Sequence, residues 1–202
     1  VPHFEKMLYD NAQLVPVYLD AYQLTKQPMM KRIAHETLAY ILREMTNVEG
    51  GFFSATDADS PVPGKKHQEE GWYFTWTPEE VRALVRPADY AIIQEFYALT
   101  DRGNFEGRNI LHTRFERKAF AAQRSMSVTD LEAVLTRSHR SLYEVRKKRP
   151  PPLRDEKVIA SWNGLMISAF AKAGFVLDNR QYLDAAKRSA AFILTNMKTD
   201  SG

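Results

Sequence analysis

The feature that most constrains the fold is an internal repeat with an offset of 152 residues. Residues 38–50 and 190–202 both carry an apolar helical pattern that ends at a glycine. The matching positions are Ala39 and Ala191, Ile41 and Ile193, Leu42 and Leu194, Met45 and Met197, and Gly50 and Gly202. Farther back, the same offset relates Ala21 to Ala173, Ala34 to Ala186 and Asn11 to Asn163. Such a repeat predicts an architecture of recurring structural units.

Each repeat unit is predicted to be a pair of helices. In the first unit, helical apolar spacing covers about residues 6–25, and Pro28 favours the start of a second helix that ends before Gly50. In the second unit, helices are expected over about residues 157–177 and 182–197. The first of these is rich in small residues that would let neighbouring helices approach closely, namely Gly164, Ser168, Ala169, Ala171, Ala173 and Gly174. A lone pair cannot bury its apolar faces, so pairs stack into an open solenoid or a closed ring.

The segment between the two units is predicted to be a further, irregular helical part. Thr77 and Glu80 match a capping box, and the helix that they start should run to about Val85. Helices are also expected over residues 87–99 and 128–147, the latter ended by three prolines. The aromatic runs 51–55 and 71–76 are typical of short strands and are expected to pair as a hairpin at one rim, joined by a polar loop. The predicted fold class is therefore all-α with a small β-hairpin.

Composition and charge exclude several classes of function. The chain has no cysteine, which excludes disulfides and thiol chemistry and fits a cytoplasmic location. No segment approaches the roughly 20 apolar residues that cross a bilayer, so no membrane association is expected. The net charge is +3, and the basic run 146–149 has no interleaved aromatic residues. It is predicted to be a solvated helix end rather than a nucleic-acid-binding patch.

Four motifs resemble the YyaL-type, or spermatogenesis-associated protein 20-like, family. They are HFEKMLYDNAQL at 3–14, GGFFSATDADS at 50–60 followed by EGWY at 70–73, NFEGRNIL at 104–111, and DEKVIASWNGLMI at 155–167. The resemblance implies a partial (α/α)6 toroid of the six-hairpin glycosidase-like kind, with residues 1–202 as a fragment of a single toroid domain. It also implies a thioredoxin-like domain N-terminal to this region in the full-length protein. Both ends of the chain are accordingly expected to lie within a longer protein.

The candidate catalytic residues are proton carriers of the kind that sugar chemistry needs. A glycosidase places two carboxylates about the scissile bond, and an epimerase removes and returns a proton beside a carbonyl. The candidates are His3, Glu5, Asp10, Asp57, Asp59 and Asp155. Helix capping, packing or loop structuring are the alternatives at these positions. The run DADS at 57–60 resembles the start of a calcium loop but lacks the later glycine and glutamate, so no metal and no cofactor are predicted.

The candidate substrate-binding residues supply stacking faces and hydrogen-bonding groups. They are Asn11, Glu70, Trp72, Arg108, Trp162 and Asn163. The repeat places Asn11 and Asn163 at equivalent positions of two helices that would face one cavity. Trp162 offers a flat face for a sugar ring, although a core tryptophan is an equal alternative. Arg108 could bind an anionic group, with hydrogen bonding inside its loop as the alternative.

These observations predict a carbohydrate-active or sugar-metabolite-binding domain, either glycosidase-like or 2-epimerase-like, whose partner is a small sugar-like ligand. Because the sugar chemistry follows from fold analogy, a second hypothesis stands beside it. In that hypothesis the domain is a non-catalytic scaffold that presents a client to the thioredoxin-like domain. A third outcome is a fragment whose exposed helix faces cause it to dimerise or aggregate.

Overall fold

The computed structural model describes residues 3–198 and divides the chain into two compact units. Of the described residues, the first unit contains 3–58 and 153–198, and the second contains 59–152. The first unit holds α1 (Leu8–Thr25), α2 (Pro28–Glu44), α7 (Ala160–Val176) and α8 (Arg180–Asn196), with strands β1 (Lys6–Met7), β2 (Ala55–Thr56) and β5 (Arg154–Asp155). The second holds β3 (Asp59–Pro61), β4 (Gln68–Glu70), a 3₁₀ turn (Trp72–Phe74), α3 (Pro78–Leu84), α4 (Pro87–Phe96), α5 (Arg117–Gln123) and α6 (Val128–Arg146). The mostly helical fold class is confirmed.

The internal repeat corresponds to two helix pairs in the first unit. Helices α7 and α8 each begin 152 residues after α1 and α2, the offset found in the sequence. Pro28 occupies the first turn of α2 as predicted, and the side chain of Asn179 caps α8 by accepting a hydrogen bond from the Tyr182 N–H. The two predicted pairs are confirmed, whereas closure into a ring stays a prediction.

The first unit is built around two long helices that pack side by side. Helix α1 packs against α2 and α7, and α7 packs against α8. Strands β1 and β5 both pair antiparallel with β2, so they run in the same direction and lead into parallel helices, α1 and α7. The core between the pairs includes Leu19, Ile41 and the stacked rings of Phe52 and Phe170, whose centroids are 5.2 Å apart. Burial of each such side chain contributes about 1.5–3 kcal/mol to the free energy of folding.

The predicted hairpin is wrong in its partners. Ala55 pairs with Met7 and Asp155, and the run 71–76 forms the 3₁₀ turn and one bridge from Trp76 to Asn109 instead. Gly71, with φ of 69°, provides the left-handed conformation that starts this turn. The hairpin that does form joins β3 to β4, inside the segment predicted as a loop. Short aromatic runs are compatible with either structure, and long-range hydrogen bonds decide between them.

The second unit confirms the predicted helix starts and adds one short helix. Both hydrogen bonds of the Thr77–Glu80 capping box are present. Helices α3, α4 and α6 begin and end within a few residues of prediction, whereas the seven-residue α5 was not predicted. The core of this unit surrounds Trp76, Phe96 and Phe120.

The basic run 146–149 is not simply a solvated helix end. The Arg149 side chain is 9% exposed and donates hydrogen bonds to the carbonyls of Trp72, Tyr73 and Thr75 at 2.8–3.1 Å. Its guanidinium also lies 4.0 Å from the centroid of the Trp76 ring. Burial lowers the pKa of Arg149, while the nearby Glu80 carboxylate favours its charged form. Arg149 therefore holds the 3₁₀ turn in place.

No helix within residues 3–198 is both long and apolar enough to span a membrane.

Candidate functional site

The candidate site is a cluster of carboxylates on the three-stranded sheet of the first unit. The strands come from the three motifs at 3–14, 50–60 and 155–167, and their order is β1-β2-β5. Because β1 leads directly into α1 and residues 156–159 join β5 to α7, the sheet brings both helix N-termini to one end of the unit. Residues that are far apart in the sequence are therefore neighbours at this end.

Strand register places two predicted catalytic carboxylates, Asp57 and Asp155, on one face of the sheet. Met7, Ala55 and Asp155 are successive partners across the strands, so their side chains share a face. Asp57 lies two residues beyond Ala55, and its N–H donates to the Leu153 carbonyl, which continues the pairing of β2 with β5. Glu5 directly precedes β1 and Asp57 directly follows β2, so both residues adjoin the antiparallel pairing of these two strands. Directly opposite residues have Cβ atoms about 5 Å apart, and diagonal neighbours about 7–8 Å.

Asp155 is held in its ionised form by Lys157. The Lys157 ammonium lies 2.9 Å from Asp155 Oδ2, and the Lys157 N–H donates to Oδ1 at 3.2 Å. These hydrogen bonds lower the pKa of the Asp155 carboxyl. Its backbone carbonyl also accepts from the Ser54 hydroxyl at 3.1 Å. Asp155 is therefore a fixed hydrogen-bond acceptor at neutral pH.

Trp162 forms an aromatic pair with Tyr9 in the first turns of α7 and α1. The ring centroids are 4.8 Å apart and the rings meet edge to face at 66°. Both residues are half-buried, so part of each ring surface remains open. Tyr9 was not among the predicted site residues. Its place inside the motif at 3–14, one residue before Asp10, is the signal that could have identified it.

The two repeat-equivalent asparagines have different surroundings. Asn163 is fully buried, and its amide forms two hydrogen bonds with Phe52: Oδ1 accepts from the N–H at 2.8 Å and Nδ2 donates to the carbonyl at 3.0 Å. Nδ2 also donates to the Ile159 carbonyl at 3.1 Å. Asn11 is half-buried and donates one local hydrogen bond, to the Met7 carbonyl. We assign Asn163 a structural role, because its amide is occupied by the main chain.

The remaining candidates of the first unit are exposed. His3 and Asp10 both lie at the surface near the start of α1, and Asp10 is in its first turn. A carboxylate in this position is stabilised by the helix dipole. Glu5 and Asp57 are exposed as well, so exposure does not separate these four candidates.

The second unit holds the other four candidates. Asp59 and Glu70 are directly opposite each other in the β3–β4 hairpin. Arg108 donates to the Thr75 hydroxyl at 3.0 Å, to the Thr75 carbonyl at 2.9 Å and to Glu80 Oε2 at 2.6 Å. The Trp72 ring lies beside the guanidinium groups of Arg108 and Arg149, with centroid distances of 6.0 and 5.1 Å. Arg108 and Trp72 thus belong to the network that holds the 3₁₀ turn.

Within residues 3–198, no group of three or more histidine or acidic side chains is arranged to hold a metal ion.

The two helix pairs define a helical-hairpin repeat protein. Carboxylates and aromatic rings lie at the N-termini of its two central helices, α1 and α7. No family model matches the chain. The chain is 36% identical to human spermatogenesis-associated protein 20 over 216 aligned positions, which cover 98% of this chain and 28% of the relative. It is 30% identical to an uncharacterised protein of Caenorhabditis elegans, with 96% of this chain and 29% of that protein covered. The chain is therefore a spermatogenesis-associated protein 20-like region, which confirms the resemblance seen in the motifs.

Among solved structures, the chain was matched to a D-mannose isomerase with 16% identity and a TM-score of 0.29. The match covers 94% of this chain and 40% of the isomerase. A likeness this weak supports no assignment of fold or function. The chain also spans little more than a quarter of the length of its curated relatives, so the activity of the whole protein is a matter for proposal.

Proposed function

We propose that the sheet end of the first unit binds a neutral sugar or a related polyhydroxylated metabolite. The observation that carries this proposal is that Glu5, Asp57 and Asp155 lie in or next to the paired strands β1, β2 and β5, at the end where Tyr9 and Trp162 meet. Carboxylates accept hydrogen bonds from hydroxyl groups, and an open aromatic ring stacks on the apolar face of a sugar. The two kinds of group together match the two kinds of surface on a sugar ring.

The carboxylates have distinct roles in this proposal. Asp155, ionised and held by Lys157, orients a hydroxyl group. Glu5 and Asp57 adjoin the neighbouring strands β1 and β2, and in this proposal their side chains carry the proton transfer of hydrolysis or epimerisation. Retaining glycosidases hold their two carboxyl groups about 5 Å apart and inverting enzymes hold them farther apart, so the separation of the Glu5 and Asp57 carboxyl groups would decide between these two reactions.

The proposal is tested by titrating the purified chain with D-glucose, D-mannose and N-acetyl-D-glucosamine, using calorimetry and NMR at millimolar concentrations. We expect binding that shifts the Tyr9 and Trp162 signals. Asp57→Asn and Trp162→Ala should each weaken binding by about fivefold to tenfold, because a hydrogen bond or a stacked ring is lost. Trp162→Phe, which keeps an aromatic ring, should restore most of the affinity.

Asp184→Asn is the matched control, since Asp184 is an exposed carboxylate on α8. It should leave the affinity unchanged. Failure of all three sugars to bind, or equal affinity in the Asp57 and Asp184 variants, would contradict the proposal. Thermal unfolding of each variant separates lost binding from lost folding.

The scaffold alternative is favoured by a different observation, an exposed apolar surface on the same two helices. Val17 of α1 is 62% exposed and Phe175 of α7 is 84% exposed, with Leu14, Leu24 and Leu165 also exposed. Exposed apolar side chains of this kind mark a protein-binding face where they form a contiguous patch. Under this alternative the chain works in the cytoplasm with a thioredoxin-like domain of the longer protein. It predicts that the chain binds an unfolded polypeptide and that Phe175→Asp weakens this binding while leaving sugar titrations unchanged.

A further inference from the structure

A groove in the second unit lies outside the carboxylate cluster and the network around the 3₁₀ turn. One wall is a face of α4 and the residues that follow it, and the other is the segment before α5 together with the residue after that helix. Its volume is about 390 Å³, which is within the range of small-ligand sites. It is widely open to solvent.

The apolar part of the groove lining, called its floor here, contains an aromatic ring. Ala91, Ala98 and the buried Leu99 contribute from the α4 side. Phe115 contributes from the other side and is 38% exposed. Its ring packs against the buried Phe120, with centroids 5.7 Å apart, so Phe115 is held in position while part of its surface faces the groove. This floor suits a flat apolar group.

The charges at the groove rim favour an anion. Glu95 is neutralised, because its carboxylate forms an ion pair with Arg124 and accepts from Gln123 Nε2 at 3.2 Å. Arg114 is exposed and, within residues 3–198, forms no ion pair with an acidic side chain. The groove therefore carries one uncompensated guanidinium beside an aromatic floor. A guanidinium binds a carboxylate through two parallel hydrogen bonds.

We propose that this groove binds a small carboxylate with an aromatic body, with the carboxylate on Arg114 and the aromatic group against Phe115 and Leu99. The site does not depend on the sugar-binding proposal, because no residue is shared between the two. Arg114 sets the charge preference and Phe115 sets the preference for a flat apolar group.

The test compares three probes of one shape and different charge: 3-phenylpropionate, 3-phenylpropanol and 3-phenylpropylamine. Each is titrated into the isotope-labelled chain while amide and methyl signals are recorded by NMR. We expect 3-phenylpropionate to shift the signals of Leu99 and Phe115 and to bind about tenfold more tightly than the amine, with the alcohol between them.

Two variants and one control complete the test. Arg114→Gln should abolish the difference between carboxylate and alcohol, and Phe115→Ala should weaken all three probes. Arg102→Gln changes an exposed arginine of the same unit outside the groove and should change nothing. The proposal is overturned if the carboxylate fails to shift the groove signals, if carboxylate and amine bind equally, or if Arg114→Gln and Arg102→Gln behave alike. Unchanged spectra of the unliganded Arg114 variant establish that it remains folded.

Discussion

At the scale of single residues, the Asp89–Arg137 pair shows how one buried charge is accommodated. Asp89 is 4% exposed in the first turn of α4, and both of its oxygens accept from Arg137 of α6 at 2.6 Å. This bidentate pair lowers the pKa of Asp89 and raises that of Arg137, so both shifts indicate the same stabilising contact. The pair joins two helices of the second unit.

We predict that Asp89→Asn destabilises the protein by about 1.5–3 kcal/mol, because the buried carboxylate loses a charge-assisted hydrogen bond to the partly exposed Arg137. The loss should be measured by denaturant unfolding at neutral pH. Glu132→Gln removes the exposed partner of Arg117 and, as the control, should cost less than about 1 kcal/mol. Equal effects of the two substitutions would contradict the structural role of Asp89.

The same pair predicts a pH dependence with a definite sign. A carboxyl whose pKa is lower in the folded state stabilises the protein above its unfolded pKa of about 4, and this contribution is lost as pH falls through the folded value. The stability difference between the wild type and Asp89→Asn should therefore be constant above about pH 5 and shrink below pH 4. A difference that persisted at low pH would point to a packing effect instead.

At the scale of elements, the small residues of α7 serve different purposes along the helix. A Cβ atom at Gly174 would lie 2.5 Å from Leu183 of α8, so this glycine permits close approach of the two helices, as predicted. A Cβ atom at Gly164 would meet nothing within 4 Å, and Gly164 is exposed. Close helix contact is therefore confirmed for Gly174, and the prediction for Gly164 is corrected, because that face has no neighbour among residues 3–198.

This contrast gives a matched pair of substitutions in one helix. Gly174→Ala should destabilise the protein by about 1–3 kcal/mol through overpacking against Leu183. Gly164→Ala should stabilise it by up to about 1 kcal/mol, because alanine favours helix at an exposed position. Chemical denaturation of both variants provides the measurement. A loss of stability in Gly164→Ala would show that this face is covered in solution.

At the scale of the whole molecule, segments distant in sequence are joined by a few buried polar contacts. Asn163 links α7 to the main chain of Phe52, and Ser54 bonds to the Asp155 carbonyl. These contacts hold the three motifs together across the first unit. The carboxylate cluster depends on them, since its members come from different segments of the chain.

We predict that Asn163→Ala destabilises the protein by about 3 kcal/mol, because the buried N–H and carbonyl of Phe52 both lose a partner. Asn11→Ala, at the repeat-equivalent position, should cost about 1 kcal/mol or less, since a single local bond is lost. Thermal and denaturant unfolding should rank the two variants in this order. The reverse order would contradict the structural assignment of Asn163.

Apart from α5, the helices were the part of the fold that the sequence determined by itself. Helix ends are set by contacts within a few residues, so they can be predicted from the neighbouring sequence. Examples are Pro28, the Thr77–Glu80 capping box and the prolines after residue 149. The 152-residue offset likewise determined two helix pairs, because equivalent apolar patterns fold alike. Strand pairing was decided by tertiary structure: Ala55 meets Met7 and Asp155, which lie far from it along the chain. The burial of Arg149, the pairing of Tyr9 with Trp162 and the occupied amide of Asn163 were decided in the same way, since each depends on which distant groups surround a side chain.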